Sequence, residues 1–155
     1  MLGTVKHSVE AITPVTLCVL GGRALPALFQ EHPALALSIL RTRIEEEQRA
    51  DVWLALLGRR PAFSRVAYLL LETCDRLRQR GMVNGGGTYH FPLTRRHIAD
   101  ATGLSNMHLI RVLKEMREKR LALIDRAALI VYDWEKLAEL AEYSPLGGVG
   151  DRAIL

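Results

Sequence analysis

A mainly α fold with one small sheet is predicted by three observations. A helical apolar spacing runs from Pro33 to Leu57, well beyond the length of an average helix. Two shorter helices follow near Leu93–Lys114, their ends marked by the capping types Thr94, Gly103 and Ser105. Brief β-branched runs lie on either side of that pair, too short to be stable without packing on something else.

The elements follow in order. Val5 to Leu20 alternates as VKHSVEA, a Thr13-Pro14 turn and VTLCVL, which reads as two short strands closed by Gly21-Gly22. Ala24 to Gln30 reads as a short helix. Pro33 opens the long helix, since proline suits a first turn, and Gly58 follows its expected end at Leu57. Leu37, Leu40 and Ile44 keep three- and four-residue spacing, Glu47 and Asp51 interrupt the stripe, and Leu54 resumes it. Charge surrounds the helix from Arg41 to Asp51, which a core helix would not tolerate. A narrow apolar seam on a charged helix predicts a contact between two subunits, with Leu37, Leu40, Ile44 and Leu54 at the interface. An ordinary core helix is the alternative.

Arg59-Arg60-Pro61 breaks the chain, and Ala62 to Arg80 forms a second helix with Val66, Leu69, Leu70, Thr73 and Leu77 inward. Asn84–Gly87 is a loop and Tyr89–Phe91 a short strand. Thr94 then caps a helix whose apolar face holds Ile98 and Ala101, and Gly103 supplies the left-handed residue that ends it. Ser105 caps the next helix, with Leu109, Val112 and Leu113 inward. Leu121–Asp125 and Leu129–Tyr132 complete a small sheet, Asp133 caps a last helix from Trp134 to about Tyr143, and Ser144–Leu155 is a loose tail. Two helices joined by a tight turn and followed by a hairpin make a winged helix-turn-helix.

Charge agrees with that layout. The net charge is +4, and Leu93–Arg126 alone carries eight basic side chains against four acidic ones, as a phosphate-facing surface would. Asn106, His108 and Arg111 fall on the outer side of the second helix near its start, and all three types can meet base edges in a major groove. Thr94, Arg95 and Ser105 lie at helix N-termini, where N–H groups and the helix dipole favour phosphate; plain capping is the alternative for Thr94 and Ser105, and both roles can hold together. Lys114 lies on the same side as Arg111.

Other classes are disfavoured. Cys18 and Cys74 are far apart in apolar surroundings and read as buried, reduced thiols of a cytoplasmic protein. The five histidines are scattered, and no hydrolase triad, zinc-ligand spacing or phosphate loop accompanies them, so the chain does not read as an enzyme. No signal peptide is visible, and Val15–Leu20 is too short to span a bilayer.

Four segments in this order resemble the Crp/Fnr family of bacterial transcription regulators. Leu57–Glu72 is similar to the family's joint between dimerisation helix and DNA-binding domain, Pro92–Arg117 to its helix-turn-helix, Val131–Ala141 to its closing helix and His7–Leu20 to the last two strands of its effector β-roll. The resemblance implies residues 1–32 as a β-roll remnant, 33–57 as the dimerisation helix, 58–143 as the winged helix-turn-helix DNA-binding domain and 144–155 as a flexible tail. It places Arg111 at the family's base-reading arginine and Asn106, Met107 and His108 at its variable recognition positions, Met107 suiting apolar contact. The implied function is a regulator binding a pseudo-palindromic operator on double-stranded DNA as a homodimer, with RNA polymerase as a further partner and no membrane association. The rival is a truncated dimerisation module that pairs with a full-length relative.

Two departures from the family carry expectations. The cyclic-nucleotide cassette and the N-terminal cysteine set have no counterpart here, so no cofactor is expected. Asp125-Arg126-Ala127-Ala128 stands where the family has glycine, so the wing turn should be distorted or of another type, because positive φ is costly without glycine.

Overall fold

The longest element of the computed structural model, which describes residues 8–84 and 88–145, is a helix that mostly faces outward. A short helix, α1 (Leu25–Glu31), leads into α2 (Pro33–Arg59), and α3 (Ala62–Gln79) follows. Strands β1 (Val83–Asn84) and β2 (Thr88–His90) precede the helix pair α4 (Arg95–Thr102) and α5 (Asn106–Glu118). The hairpin β3 (Ala122–Asp125) and β4 (Ala128–Val131) and the helix α6 (Trp134–Ala141) complete the fold.

Pro33 starts α2 as expected, but the helix runs through Gly58 to Arg59. A Cβ at Gly58 would meet nothing within 4 Å, so this glycine is not there for close packing. The break comes at Arg60, which is extended at φ −92° and ψ 146° because the following Pro61 crowds a helical conformation. α3 is the organising helix. It buries Val66, Ala67, Leu70, Leu71 and Cys74 and packs against α4, α5 and α6. Phe91, Ile98, Leu109, Met116, Leu129 and Leu137 fill the same core.

The sheet is antiparallel in the order β1-β2-β4-β3. Tyr89 pairs with Val83 on one side and Leu129 on the other, and Asp125 pairs with Ala128. The hairpin loop is therefore Arg126-Ala127 alone, with Arg126 at φ +52°. Positive φ at the first loop position puts a non-glycine residue in the left-handed region, so arginine carries the strain that glycine would avoid.

Several expectations need correction. Residues 8–20 form no strand and are exposed throughout, while Val5–His7 lie outside the described residues. Among the described residues no strand pairs with this segment, and local alternation alone does not hold two strands in water. Cys18 is accordingly exposed; only Cys74 is buried. The first short helix begins at Leu25 rather than Ala24. On α4 the inward residues are Ile98, Ala99 and Thr102, and Ala101 is exposed. Thr102 tolerates full burial because its hydroxyl donates to Ile98 O at 2.6 Å. Asn84 belongs to β1, and the glycines after it lie outside the described residues.

A polar network ties α2 to α3 and α6. Glu72 accepts from Trp53 Nε1 at 2.8 Å and lies 3.6 Å from the Arg49 guanidinium. Glu46 on α2 takes Arg49 at 3.1 Å and Arg76 at 2.7 Å. Tyr143 donates to Asp75 at 2.5 Å, and Arg78 bonds both Asp75 and the Tyr89 hydroxyl while stacking on the Trp134 ring. Burial is the main cause that pushes the Tyr68 hydroxyl up to about 12, with Glu72 adding and Arg49 opposing. Burial likewise raises the Cys74 thiol to about 12 and, helped by the bond to Asp75, lifts Tyr143 far above the ordinary tyrosine range.

Candidate nucleic-acid interface

The helix pair is built by its caps. Thr94 is extended, its hydroxyl accepts from His97 N–H at 3.2 Å, and its own N–H donates to His97 Nδ1 at 3.2 Å. This is a capping box with histidine in place of the usual Glu or Gln. α4 ends at Gly103, in the left-handed region at φ +64° and ψ +37°, and Leu104 N–H returns to Ala99 O at 2.9 Å. Ser105 Oγ then accepts from His108 N–H at 3.2 Å and starts α5 in its new direction.

Leu109, Val112 and Met116 bury one face of α5, with Leu113 half-buried beside them. At 100° per residue, the opposite face carries Met107, Arg111, Lys114 and Glu118. Met107 is 68% exposed, and Arg111 is exposed with one long contact from Nε to Met107 O at 3.4 Å. Asn106 and Ile110 lie on the flank toward Arg95; His108 lies on the opposite flank with Glu115. The structure thus brings Arg95, Asn106 and Lys114 to surface hollows on one side of α5 and sets His108 apart from them.

Positive potential dominates this face. Neither α4 nor α5 has an acid in its first turn. Among the described residues no carboxylate lies within ion-pair distance of Arg95, Arg111, Arg117 or Arg126, whereas Arg96 meets Asp100 at 3.7 Å and Lys114 meets Glu118 at 3.6 Å. Lys119 is held by Glu115 at 2.6 Å. The free cations and two uncovered helix N-termini suit a polyanion better than a small neutral ligand.

Sequence reading missed Ile110 and did not single out Arg117 and Arg126 among the eight cations counted over Leu93–Arg126. Ile110 is 43% exposed on α5 although its type suggests a core residue. Arg117 lines a hollow of about 220 Å³ together with Arg95, Ile110, Leu113, Lys114 and β3. Arg126 stands at the tip of the hairpin. The helical spacing of Ile110 from Asn106, four residues, is a signal that could have found it.

Leu37, Leu40, Ile44 and Leu54 do not belong to this face. They lie along α2 at 59%, 55%, 46% and 75% exposure. Among the described residues no group of His, Cys, Asp or Glu could hold a metal ion, and no helix is long and apolar enough to cross a membrane.

Comparison with known proteins agrees with the geometry. Residues 64–140 match the model of the Crp-like helix-turn-helix domain. The chain is 30% identical over 152 residues to the transcriptional activator protein FnrL of Cereibacter sphaeroides, covering 94% of this chain and 60% of that protein. It is 33% identical over 132 residues to the nitrogen fixation regulation protein FixK of Rhizobium meliloti, covering 84% and 56%. In fold it is similar to FixK2 from Bradyrhizobium japonicum, with a TM-score of 0.66 at 22% identity over 79% of this chain and 60% of that one. The chain spans rather more than half the length of these relatives.

Proposed function

The chain belongs to the Crp/Fnr family by its Crp-like helix-turn-helix domain, and on that premise we propose that it is a transcription regulator that reads a pseudo-palindromic DNA site as a homodimer. The observation that carries this reading is the outward face of α5. It is cationic, ends at an uncovered helix N-terminus and is not engaged by any other described part of the chain.

Each residue has a chemical role in that reading. Arg111 reaches guanine O6 and N7 with its guanidinium fork, and its weak 3.4 Å contact to Met107 O is easily exchanged for such a pair. Asn106 offers the amide that pairs with adenine. Thr94, Arg95 and Ser105 hold phosphates at the two N-termini, where the backbone N–H groups point outward. Lys114 must leave Glu118 before it can serve a phosphate, an exchange that costs little for an exposed pair. His108 reaches the DNA only from the far flank of α5.

One reading helix discriminates weakly, so a second copy is needed. The exposed stripe Leu37, Leu40, Ile44 and Leu54 supports pairing along α2, which would set two readers about one DNA turn, roughly 34 Å, apart. Contact with RNA polymerase is the corresponding route to activation. A second reading, pairing with a longer relative, is favoured by residues 8–20, an exposed segment that offers Val9, Val15, Leu17 and Val19 to a partner strand.

Selection of sites from random DNA with the whole chain tests the proposal. Enrichment of a two-fold-related motif, and loss of its guanine preference in Arg111→Ala, is the expected result. Failure to enrich any motif moves the weight to the pairing reading.

A further inference from the structure

Only two apolar side chains of α5 stand largely clear of the core, Met107 at 68% and Ile110 at 43% exposure. Ile110 is the unusual one. It is shared by two hollows: one of about 310 Å³ with Arg95, Arg96 and Asn106, and the one of about 220 Å³ that reaches Lys114 and Arg117. Leu113, Leu123 and Ile124 continue its apolar surface toward β3. A β-branched aliphatic group thus sits among arginines and lysines on the face that must meet the partner.

An exposed isoleucine gains by burial only against an apolar group, while the surrounding cations select a polyanion. A DNA major groove satisfies both demands at one place. The methyl group those edges present is the thymine 5-methyl. Asn106, four residues earlier on the same flank, supplies the amide suited to adenine, so an A·T pair matches the flank as a unit. β-Branching fixes χ1, which makes Ile110 a better-defined contact than the flexible thioether of Met107.

We infer that Ile110 is a specificity-determining residue that reads a thymine methyl group in each half-site. The inference rests on the DNA-reading role of α5 proposed above. The contact buries about one methyl, which corresponds to three- to fourfold in affinity per half-site and roughly tenfold for a two-fold site.

The test uses the whole chain and the duplex it selects from random DNA. Each thymine is replaced in turn by deoxyuridine, which removes the methyl and leaves every hydrogen-bonding group in place. One thymine position per half-site should show a three- to fourfold rise in Kd. Ile110→Ala should bind the parent duplex about as weakly as the wild-type chain binds the uridine duplex, with no further loss on substitution. Ile110→Val, which keeps a branched apolar contact, should retain part of the discrimination. Circular dichroism on both variants should match wild type, since the side chain is outside the core. A scan with no uridine penalty overturns the inference while leaving DNA reading intact. So does a penalty that survives Ile110→Ala but disappears in Met107→Ala. No motif at all overturns the reading of α5 itself, and this inference with it.

Discussion

Trp53 on α2 and Glu72 on α3 are joined by a 2.8 Å hydrogen bond from the indole N–H to the carboxylate. The bond carries more than its own energy, because the same carboxylate faces the largely buried Arg49 at 3.6 Å. Glu72→Ala removes the acceptor of the half-buried Trp53 indole and one of the carboxylates that face Arg49, which keeps Glu46 at 3.1 Å. A loss of about 2 kcal/mol is expected, with Trp53→Phe losing about 1 kcal/mol. Thermal melts should show both decreases in that order. Equal melts for wild type and Glu72→Ala would mean that this joint does not hold α2 to the domain.

The wing turn offers a stabilising change. Arg126 lies at φ +52° in a two-residue hairpin loop, a conformation that costs an ordinary residue about 1–2 kcal/mol and glycine little. After the extra unfolded-state entropy of glycine, Arg126→Gly should raise stability by about 0.5–1 kcal/mol. DNA affinity should fall at low salt in the same variant, since a hairpin-tip cation is lost. A lowered melting temperature would show that Arg126 makes a compensating contact in solution.

Stability should decline in alkali. Tyr68 and Cys74 are held at about 12 in the folded chain, and Tyr143 is raised in the same direction. Above about pH 9, then, the unfolded chain releases protons that the folded chain keeps, which favours unfolding. The contribution of these groups is complete below that pH and disappears progressively toward pH 12, at up to about 1.4 kcal/mol per group per pH unit. Denaturant midpoints measured from pH 8 to 11 should fall steadily. At neutral pH a thiol reagent should modify exposed Cys18 quickly and buried Cys74 only on unfolding.

Self-association should depend on the α2 stripe. Leu40→Asp puts a charge in the middle of the exposed row Leu37, Leu40 and Ile44 and should convert a dimer to a monomer in sedimentation, with little change in the domain's own melting. A dimer unaffected by this change would place the contact on another surface.

DNA binding should weaken steeply with salt. Each phosphate contact contributes nearly one unit of slope in log Kd against log salt, so Arg95→Ala should reduce the slope by about 1 per half-site without altering the selected sequence.

Most of the helix pair could be read from the chain because its determinants are local. Thr94, Gly103 and Ser105 each act within four residues of themselves, and each cap forms as its residue type predicts. The N-terminal strands failed for the opposite reason. Alternation at residues 8–20 describes a strand only if a partner strand exists, and partners are not local. Buried Glu72 and Asp75 were equally invisible, since their burial depends on Trp53, Arg49 and Tyr143, which approach only in the folded chain. Ile110 was obscured by its type: an isoleucine in a helix suggests a core until the other faces have been assigned.

The histidine in the Thr94 capping box has a consequence for how this helix start can evolve or be engineered. Glutamate would close the same box and favour the helix dipole, so stability alone would select His97→Glu. It would also set a fixed negative charge beside Arg95, where the proposed DNA reading puts a phosphate. The His97 imidazole closes the ring of hydrogen bonds through Nδ1 without placing a carboxylate there. Screens for thermal stability would therefore drift toward acidic residues here and, on the proposed function, return sturdier proteins with a weaker hold on DNA phosphates.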